Sequence, residues 1–321
     1  MLGALETTKS STMVNRGVSN TNTGKTSAPR EDGVTPSCIV ITYSVSADLK
    51  STLYALHGNT ARASVHYLID KEIDGDTELA KQYQEHNDLT QQAFYAGKSY
   101  WKGETGINKF GIGIMLINDA KSEFLPEQIS KLKLLLEDIH SRYQTLDIET
   151  DIVGLGEVAA RHIAPGRHFP WKDLAESGFG RWIETSKEQK SVILIPPQGK
   201  KIDISNIQQK LKDHGYDIEV TGKWDIETAK WFAKFNIRYG TSYVGAMDLA
   251  DDTNNLLTSR EEDNLGREAS MRENLDSNYL EPGDLVWTDA SRYVLDNLHN
   301  SMENPDSELV GDTVQSTAEL H

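Results

Sequence analysis

Two short apolar segments constrain the fold of this chain more than any other feature. Residues 38–44 read CIVITYS and residues 110–118 read FGIGIMLIN. The first is rich in β-branched side chains, and the second is apolar on both faces, as is typical of a central strand that is covered on each side. Such strands need helices packed against them, so the two segments favour an α/β layer.

Strand and helix signals alternate around these segments. Residues 64–70 (SVHYLID) and 151–155 (DIVGL) are predicted strands. Ser46 is placed to cap a first helix that Gly58 would end. The clearest helix is predicted after Pro126, with one apolar face formed by Ile129, Leu132, Leu136, Ile139 and Tyr143. This order predicts a central mixed β-sheet flanked by helices.

A small three-helix domain is predicted downstream of a linker that contains two prolines. Ser205 is placed to cap its first helix, which Gly215 would end, and Asp225 to cap its second. The third helix is expected at residues 287–299. The predicted organisation is a flexible arm (1–36), an α/β domain (37–190), a linker (191–202), a helical domain (203–300) with an acidic insertion (about 240–283), and a disordered tail (301–321).

The charge of the chain limits the partners that it can bind. Its 321 residues include 33 Lys and Arg against 49 Asp and Glu, which gives a formal net charge of −16. A surface of this sign repels phosphate backbones, so we expect no nucleic-acid partner. No segment approaches the ~20 apolar residues of a membrane helix, so no membrane span is expected. Cys38 is the single cysteine, which excludes an internal disulfide and a thiol-rich zinc site.

Three stretches together carry a specific resemblance to a known family. They are IVITYS (39–44), FYAGKSYW followed by GIGIMLIN (94–118), and VGLGEVAARHIAPGRHFPWKDLAESGFGRW (153–182). Their order and spacing resemble the zinc-dependent N-acetylmuramoyl-L-alanine amidases of type 2. Residues 207–235 resemble the three-helix peptidoglycan-binding domain that follows the amidase domain in one form of this family. The resemblance covers about residues 38–237 together with 287–299.

The resemblance implies a particular chemistry. The family hydrolyses the amide between N-acetylmuramic acid and L-alanine, with a zinc ion held by two histidines and an aspartate. A glutamate serves as general base, and a lysine stabilises the oxyanion. Three protein ligands leave the fourth zinc position open for water or substrate.

This chain departs from the family pattern at every one of those positions. The zinc ligands are replaced by Thr42, Leu155 and Ala164, the general base by Met115, and the lysine by His162. Leucine and alanine have no donor atom, and a thioether cannot accept a proton near neutral pH. We therefore predict a catalytically inactive, amidase-like pseudoenzyme that contains no zinc and binds peptidoglycan or muropeptide fragments, or a protein partner.

Two alternatives stay open at this point. The first is an active zinc amidase, or another peptidoglycan hydrolase, with a centre rebuilt from groups such as Glu157, His162 and His168. The second is an interaction protein unrelated to peptidoglycan.

A cytoplasmic location is expected by default, since no signal peptide is evident, although the family acts in the cell envelope. The residues proposed to line a ligand groove are Tyr95, Tyr100, Trp101, Asn108, Arg161 and Arg167.

Overall fold

The computed structural model describes residues 27–57, 63–71, 84–85, 89–195, 202–245 and 280–303. Several sequence predictions lie outside these ranges: most of the arm, Gly58, half of the linker, most of the acidic insertion and most of the tail. The chain divides into two compact units. The first comprises residues 1–99, 106–155 and 164–181, and the second comprises residues 100–105, 156–163 and 182–321.

The first unit is built on a mixed sheet of five strands in the order β4-β3-β8-β2-β9. Strands β3, β8, β2 and β9 run parallel, and β4 is antiparallel to β3. The apolar segment at 110–118 forms the middle strand, as predicted from its apolar faces. The strand bounds are β2 Cys38–Tyr43, β3 Tyr67–Ile69, β4 Gln84–Glu85, β8 Gly111–Leu116 and β9 Ile152–Gly154.

Helices accompany the sheet in this unit: α1 Leu49–His57, α2 Pro126–Arg142 and α4 Trp171–Glu176. Helix α2 is the helix predicted after Pro126. Four residues of its predicted apolar face are buried, namely Ile129, Leu132, Leu136 and Ile139, while Tyr143 is the half-buried C-cap. The predicted cap of α1 was wrong. Asp48, not Ser46, accepts the hydrogen bond from the Ser51 amide at 2.7 Å, because a carboxylate directly before the first turn reaches the free amides there.

Residues 27–29 lie inside the stretch that was predicted as an arm, yet they form a strand. This strand, β1 (Ser27–Pro29), pairs antiparallel with β5 (Gln91–Ala93). Arg30 follows it and is buried, with 8% of its surface exposed. The strand forms because β5 supplies its backbone hydrogen-bond partners, and the sequence of residues 27–29 alone does not predict this pairing.

The second unit contains three longer helices, α6 Ile204–His214, α7 Ile226–Tyr239 and α8 Asp289–Glu303, with shorter elements that include α5 Lys187–Lys190. Asp225 caps α7 as predicted, whereas Asp203, not Ser205, caps α6. Helix α8 begins at Asp289 because Trp287 and Thr288 form a strand, β11, that pairs with β10 (Ile193–Ile195). Strands β6 (Tyr100–Trp101) and β7 (Glu104–Thr105) form a hairpin in the same unit. None of the helices described is long and apolar enough to cross a bilayer.

Candidate functional site

Two of the positions that the resemblance aligned with the catalytic centre lie on neighbouring strands, and a third directly follows a strand. Thr42 on β2 pairs with Met115 on β8 in parallel register. Because paired residues of parallel strands point to the same face, these two side chains share one face of the sheet. On the other side of β2, Ile41 pairs with Gly154. Leu155 therefore begins the short helix α3 (Leu155–Val158) at the carboxyl end of β9, next to β2.

Three of these positions are buried. Thr42, Leu155 and Ala164 expose 3%, 5% and 4% of their surface. The Thr42 hydroxyl lies 3.5 Å from the carbonyl oxygen of Tyr43, which is a long hydrogen bond. Ala164 precedes a cis peptide bond to Pro165.

The residues present do not fit a zinc ion. A zinc centre needs imidazole, thiolate or carboxylate donors, and Leu155 and Ala164 carry no donor atom of any kind. The Thr42 hydroxyl is a poor ligand beside imidazole or carboxylate. Met115 offers a half-buried thioether, which is not a base at neutral pH. No step of metal chemistry can therefore be assigned to these side chains.

His162, at the position of the family's lysine, belongs to the second unit. Burial, reinforced by the nearby charges of Arg161 and Lys234, lowers the pKa of His162 from 6.5 to about 3. The imidazole is therefore neutral at physiological pH and does not supply the positive charge that a lysine would supply. The backbone carbonyl of His162 accepts a hydrogen bond from the Lys234 ammonium.

The groups considered for a rebuilt centre are engaged elsewhere. The His168 imidazole contacts the Glu123 carboxylate at 2.8 Å. The Glu157 carboxylate accepts a hydrogen bond from the Tyr216 hydroxyl at 3.2 Å and pairs with Arg238 at 3.5 Å. Across the ranges that the structure describes, no group of three or more His, Cys, Asp or Glu side chains is placed to hold a metal ion.

Two of the proposed groove residues in the first unit have structural contacts. Tyr95 is buried, and its ring lies over the central strand, since a Cβ built on Gly113 would come 2.6 Å from the ring. Burial raises the pKa of Tyr95. The Asn108 side-chain oxygen accepts hydrogen bonds from the amides of Tyr95 and Ala96 at 3.2 and 2.9 Å, so it fixes the loop before the hairpin. Arg167 is half-buried in the same unit.

The other proposed groove residues lie in the second unit. Trp101 is only 4% exposed and packs edge-on against His214 and Tyr216, with ring centroids 5.8 and 5.9 Å apart. Gly215 gives the indole its space, because a Cβ there would come 3.1 Å from the ring. Trp101 is therefore a packing residue and offers no open face to a sugar. Tyr100 and Arg161 are half-buried and keep part of their surface exposed.

A buried polar cluster in the first unit contains none of the candidate site residues. The Arg30 guanidinium donates hydrogen bonds to the carbonyls of Leu89, Lys109 and Gly111 at 2.8, 2.5 and 2.9 Å. His66, fully buried, contacts the same guanidinium at 3.2 Å. His66 lies within the stretch 64–70 that was predicted as a strand. Arg30 stands in a polar stretch whose composition carries no signal for burial.

The His66 imidazole has a tautomer that its neighbours define. Its Nδ1 accepts a hydrogen bond from the amide of Gly113 at 2.9 Å, so the proton is assigned to Nε2, which lies 2.9 Å from the carbonyl of Gln91. A second proton on Nδ1 would remove the bond to the central strand and would place a positive charge against Arg30. The arrangement therefore requires a neutral imidazole and makes His66 a structural residue.

Comparison with known proteins extends the resemblance. The family model described as N-acetylmuramoyl-L-alanine amidase matches residues 32–167. RC0497 of Rickettsia conorii, whose name describes it as a candidate N-acetylmuramoyl-L-alanine amidase, is 54% identical over 240 residues, which cover 73% of this chain and 86% of that protein. The Escherichia coli N-acetylmuramoyl-L-alanine amidase AmiD is 31% identical over 137 residues, or 40% of this chain and 49% of AmiD.

Solved structures show the same fold. AmpDh3 from Pseudomonas aeruginosa superposes with a TM-score of 0.54 at 25% identity, over 67% of this chain and 87% of AmpDh3. The E. coli AmiD complex with anhydro-N-acetylmuramic acid-L-Ala-D-γ-Glu-L-Lys superposes with a TM-score of 0.52 at 26% identity, over 73% of this chain and 94% of AmiD. The α/β class that was predicted from the strand pattern is thereby confirmed.

Proposed function

Because the chain belongs to the N-acetylmuramoyl-L-alanine amidase family, we propose that it is a catalytically inactive member that binds peptidoglycan fragments. The proposal rests on the side chains at four positions, which lack the donor and base groups that zinc-dependent hydrolysis needs. Thr42, Leu155 and Ala164 stand where the family resemblance implies zinc ligands, and Met115 stands at the general base. The first three are buried and carry no charged side chain, which disfavours a bound cation at their positions.

The ligand class follows from the relatives. One solved structure of AmpDh3 is a complex with an anhydromuramic pentapeptide, and the AmiD structure contains an anhydromuramic acid with a three-residue stem. We propose that this chain binds muropeptides of the same kind without cleaving them. In the first unit, the half-buried guanidinium of Arg167 is a candidate partner for a stem-peptide carboxylate, because arginine pairs with carboxylates in a bidentate manner.

Two other functions are distinguishable from this one. A hydrolase with a rebuilt centre is disfavoured by the engagement of Glu157 with Tyr216 and Arg238 and of His168 with Glu123. A protein partner is the remaining alternative, and it would be identified by the failure of the chain to bind any muropeptide.

The test combines metal content, hydrolysis and binding on the same preparation. Purified protein is analysed for zinc by mass spectrometry and is incubated with an anhydromuropeptide that carries an L-alanine-linked stem. We expect no stoichiometric zinc and no released stem peptide, together with saturable binding in calorimetry. One zinc per chain with stem release would refute the proposal, and absence of binding would favour the protein partner.

A restored variant serves as the matched control. Thr42→His, Leu155→His and Ala164→Asp return three zinc donors to their family positions, and Met115→Glu returns the general base. If this variant binds zinc and the parent protein does not, the metal content depends on these side chains and not on how the protein was purified. AmiD provides the positive control for hydrolysis.

A further inference from the structure

The second unit contains a buried carboxylate with a defined set of partners. Glu157 is 4% exposed. Its Oε1 accepts a hydrogen bond from the hydroxyl of fully buried Tyr216 at 3.2 Å, and its Oε2 lies 3.5 Å from the Nε of Arg238. Both side chains of the ion pair expose 5%. A carboxylate in such a place is tolerated only while it is paired, because removal from water without compensation is costly.

The same helix makes a second contact with this segment. Lys234 and Arg238 are four residues apart on α7, so they lie on one face of that helix. Arg238 pairs with Glu157, near the start of residues 156–163, while Lys234 donates to the carbonyl of His162, near their end. Two cationic side chains on one face of α7 therefore hold the segment 156–163, with Arg238 near its start and Lys234 near its end.

The segment is also folded back on itself. A Cβ built on Gly156 would lie 2.8 Å from the Cα of Ile163, so the backbone at the two ends is in direct contact. Only glycine allows this approach, since real Cβ atoms are not found that close to other heavy atoms. The segment is a closed loop whose one buried anion faces α7.

We infer that Glu157 is the positioning residue that fixes the loop 156–163 on α7, and that it acts through the charge of Arg238. The Tyr216 hydroxyl orients the carboxylate for this pairing. The loop is held in one conformation because release would leave both Glu157 and Arg238 buried without each other. The inference concerns how the loop is held and does not depend on what the protein binds.

Hydrogen exchange measured by mass spectrometry on the full chain tests the inference. In Arg238→Gln and in Glu157→Gln, the amides of residues 156–163 are expected to exchange at least about tenfold faster, since the loop opens locally without its charge partner. Residues 126–142 in helix α2 of the first unit provide the internal reference and are expected to keep their rates. The exposed Arg292, which pairs with Asp289 on α8, provides the matched control as Arg292→Gln.

Conservative variants separate charge from packing. Arg238→Lys keeps the charge and is expected to retain much of the protection that Arg238→Gln loses. The double variant Glu157→Gln, Arg238→Gln leaves no buried charge unpaired and is expected to exchange more slowly in the loop than either single variant. Equal rates for Arg238→Lys and Arg238→Gln, loop rates no faster than in Arg292→Gln, or equal acceleration in α2 would each overturn the inference.

Discussion

Replacement of Arg30 by methionine tests whether the residues before β2 are an integral part of the fold. The guanidinium is buried and donates to three carbonyls at 2.5 to 2.9 Å, with a weaker contact to the carbonyl of Asn108 at 3.4 Å. Methionine keeps an unbranched apolar stem and removes every donor. Arg30→Met therefore isolates the hydrogen bonds from the packing of the stem.

The expected loss of stability can be worked from these contacts. A hydrogen bond to a charged group contributes about 1.5–3 kcal/mol, so three of them would give about 5–9 kcal/mol if nothing opposed them. Burial of the guanidinium does oppose them, and it is the largest cause of the lowered pKa of Arg30. Arg30→Met removes this desolvation cost as well, but it leaves three carbonyls without their donor, and an unsatisfied buried acceptor costs about 1–3 kcal/mol, so we expect a net loss of about 3–5 kcal/mol.

Urea unfolding followed by far-ultraviolet circular dichroism measures this difference. Arg292→Met is the matched control, because that guanidinium is 54% exposed and its ion pairs should contribute under about 1 kcal/mol. Arg30→Lys should lie between the two, since an ammonium cannot reach three carbonyls in fixed directions. A loss below about 1 kcal/mol in Arg30→Met, equal to that of the control, would refute the reasoning.

Four further predictions follow from the geometry. Gly113→Ala should lower the free energy of unfolding in urea by about 1–3 kcal/mol, because the new methyl would overlap the Tyr95 ring. A decrease of less than about 0.5 kcal/mol would contradict this packing. Tyr95→Phe should leave stability unchanged or raise it by about 1 kcal/mol, since the buried hydroxyl has no hydrogen-bond partner among the described residues, and a clear loss would reveal one. The folded state keeps His162 neutral down to a pKa of about 3, while the unfolded chain protonates it near 6.5, so stability should fall as pH drops through this window. His162→Asn should flatten the fall by up to about 1.4 kcal/mol per pH unit, and identical pH profiles would exclude the effect. Replacement of residues 246–279 by a short glycine-serine linker should preserve cooperative unfolding. The reason is that the Tyr243 amide donates to the Gly283 carbonyl at 3.0 Å, which holds together the two chain ends that flank the insertion. Loss of the cooperative unfolding transition would show that the insertion contributes to the core.

The sheet was predictable because its signal is local. The segments at 38–44 and 110–118 are short and mostly apolar, and such runs, when they are rich in β-branched residues, are typical of buried strands. The places of Thr42 and Leu155 beside the sheet were predictable for a related reason. Thr42 lies within β2 and Leu155 directly follows β9, so a sequence motif locates them without knowledge of distant contacts.

Other features depend on contacts between residues that are far apart in sequence. An aromatic pair in a loop suits either packing or a groove, and the enclosure of the Trp101 indole depends on His214 and Tyr216, which are distant in sequence. The sequence offers Glu157 as a metal donor because its partner Arg238 also lies on a distant segment. The two cap errors, at Ser46 and Ser205, have one cause: an aspartate two residues away competes for the same free amides.

The buried amide of Asn236 links α7 to residues that are synthesised much later. Its nitrogen donates to the carbonyls of Asp284 and Val286, each at 2.7 Å, and its oxygen accepts from Ser291 at 2.7 Å. The Asn236 oxygen has a second, local partner in the Thr241 hydroxyl at 2.8 Å, but both acceptors of its nitrogen are translated about 50 residues after α7. When α7 leaves the ribosome, its buried nitrogen therefore lacks these two carbonyls, and a premature stop before residue 284 would leave that donor without them.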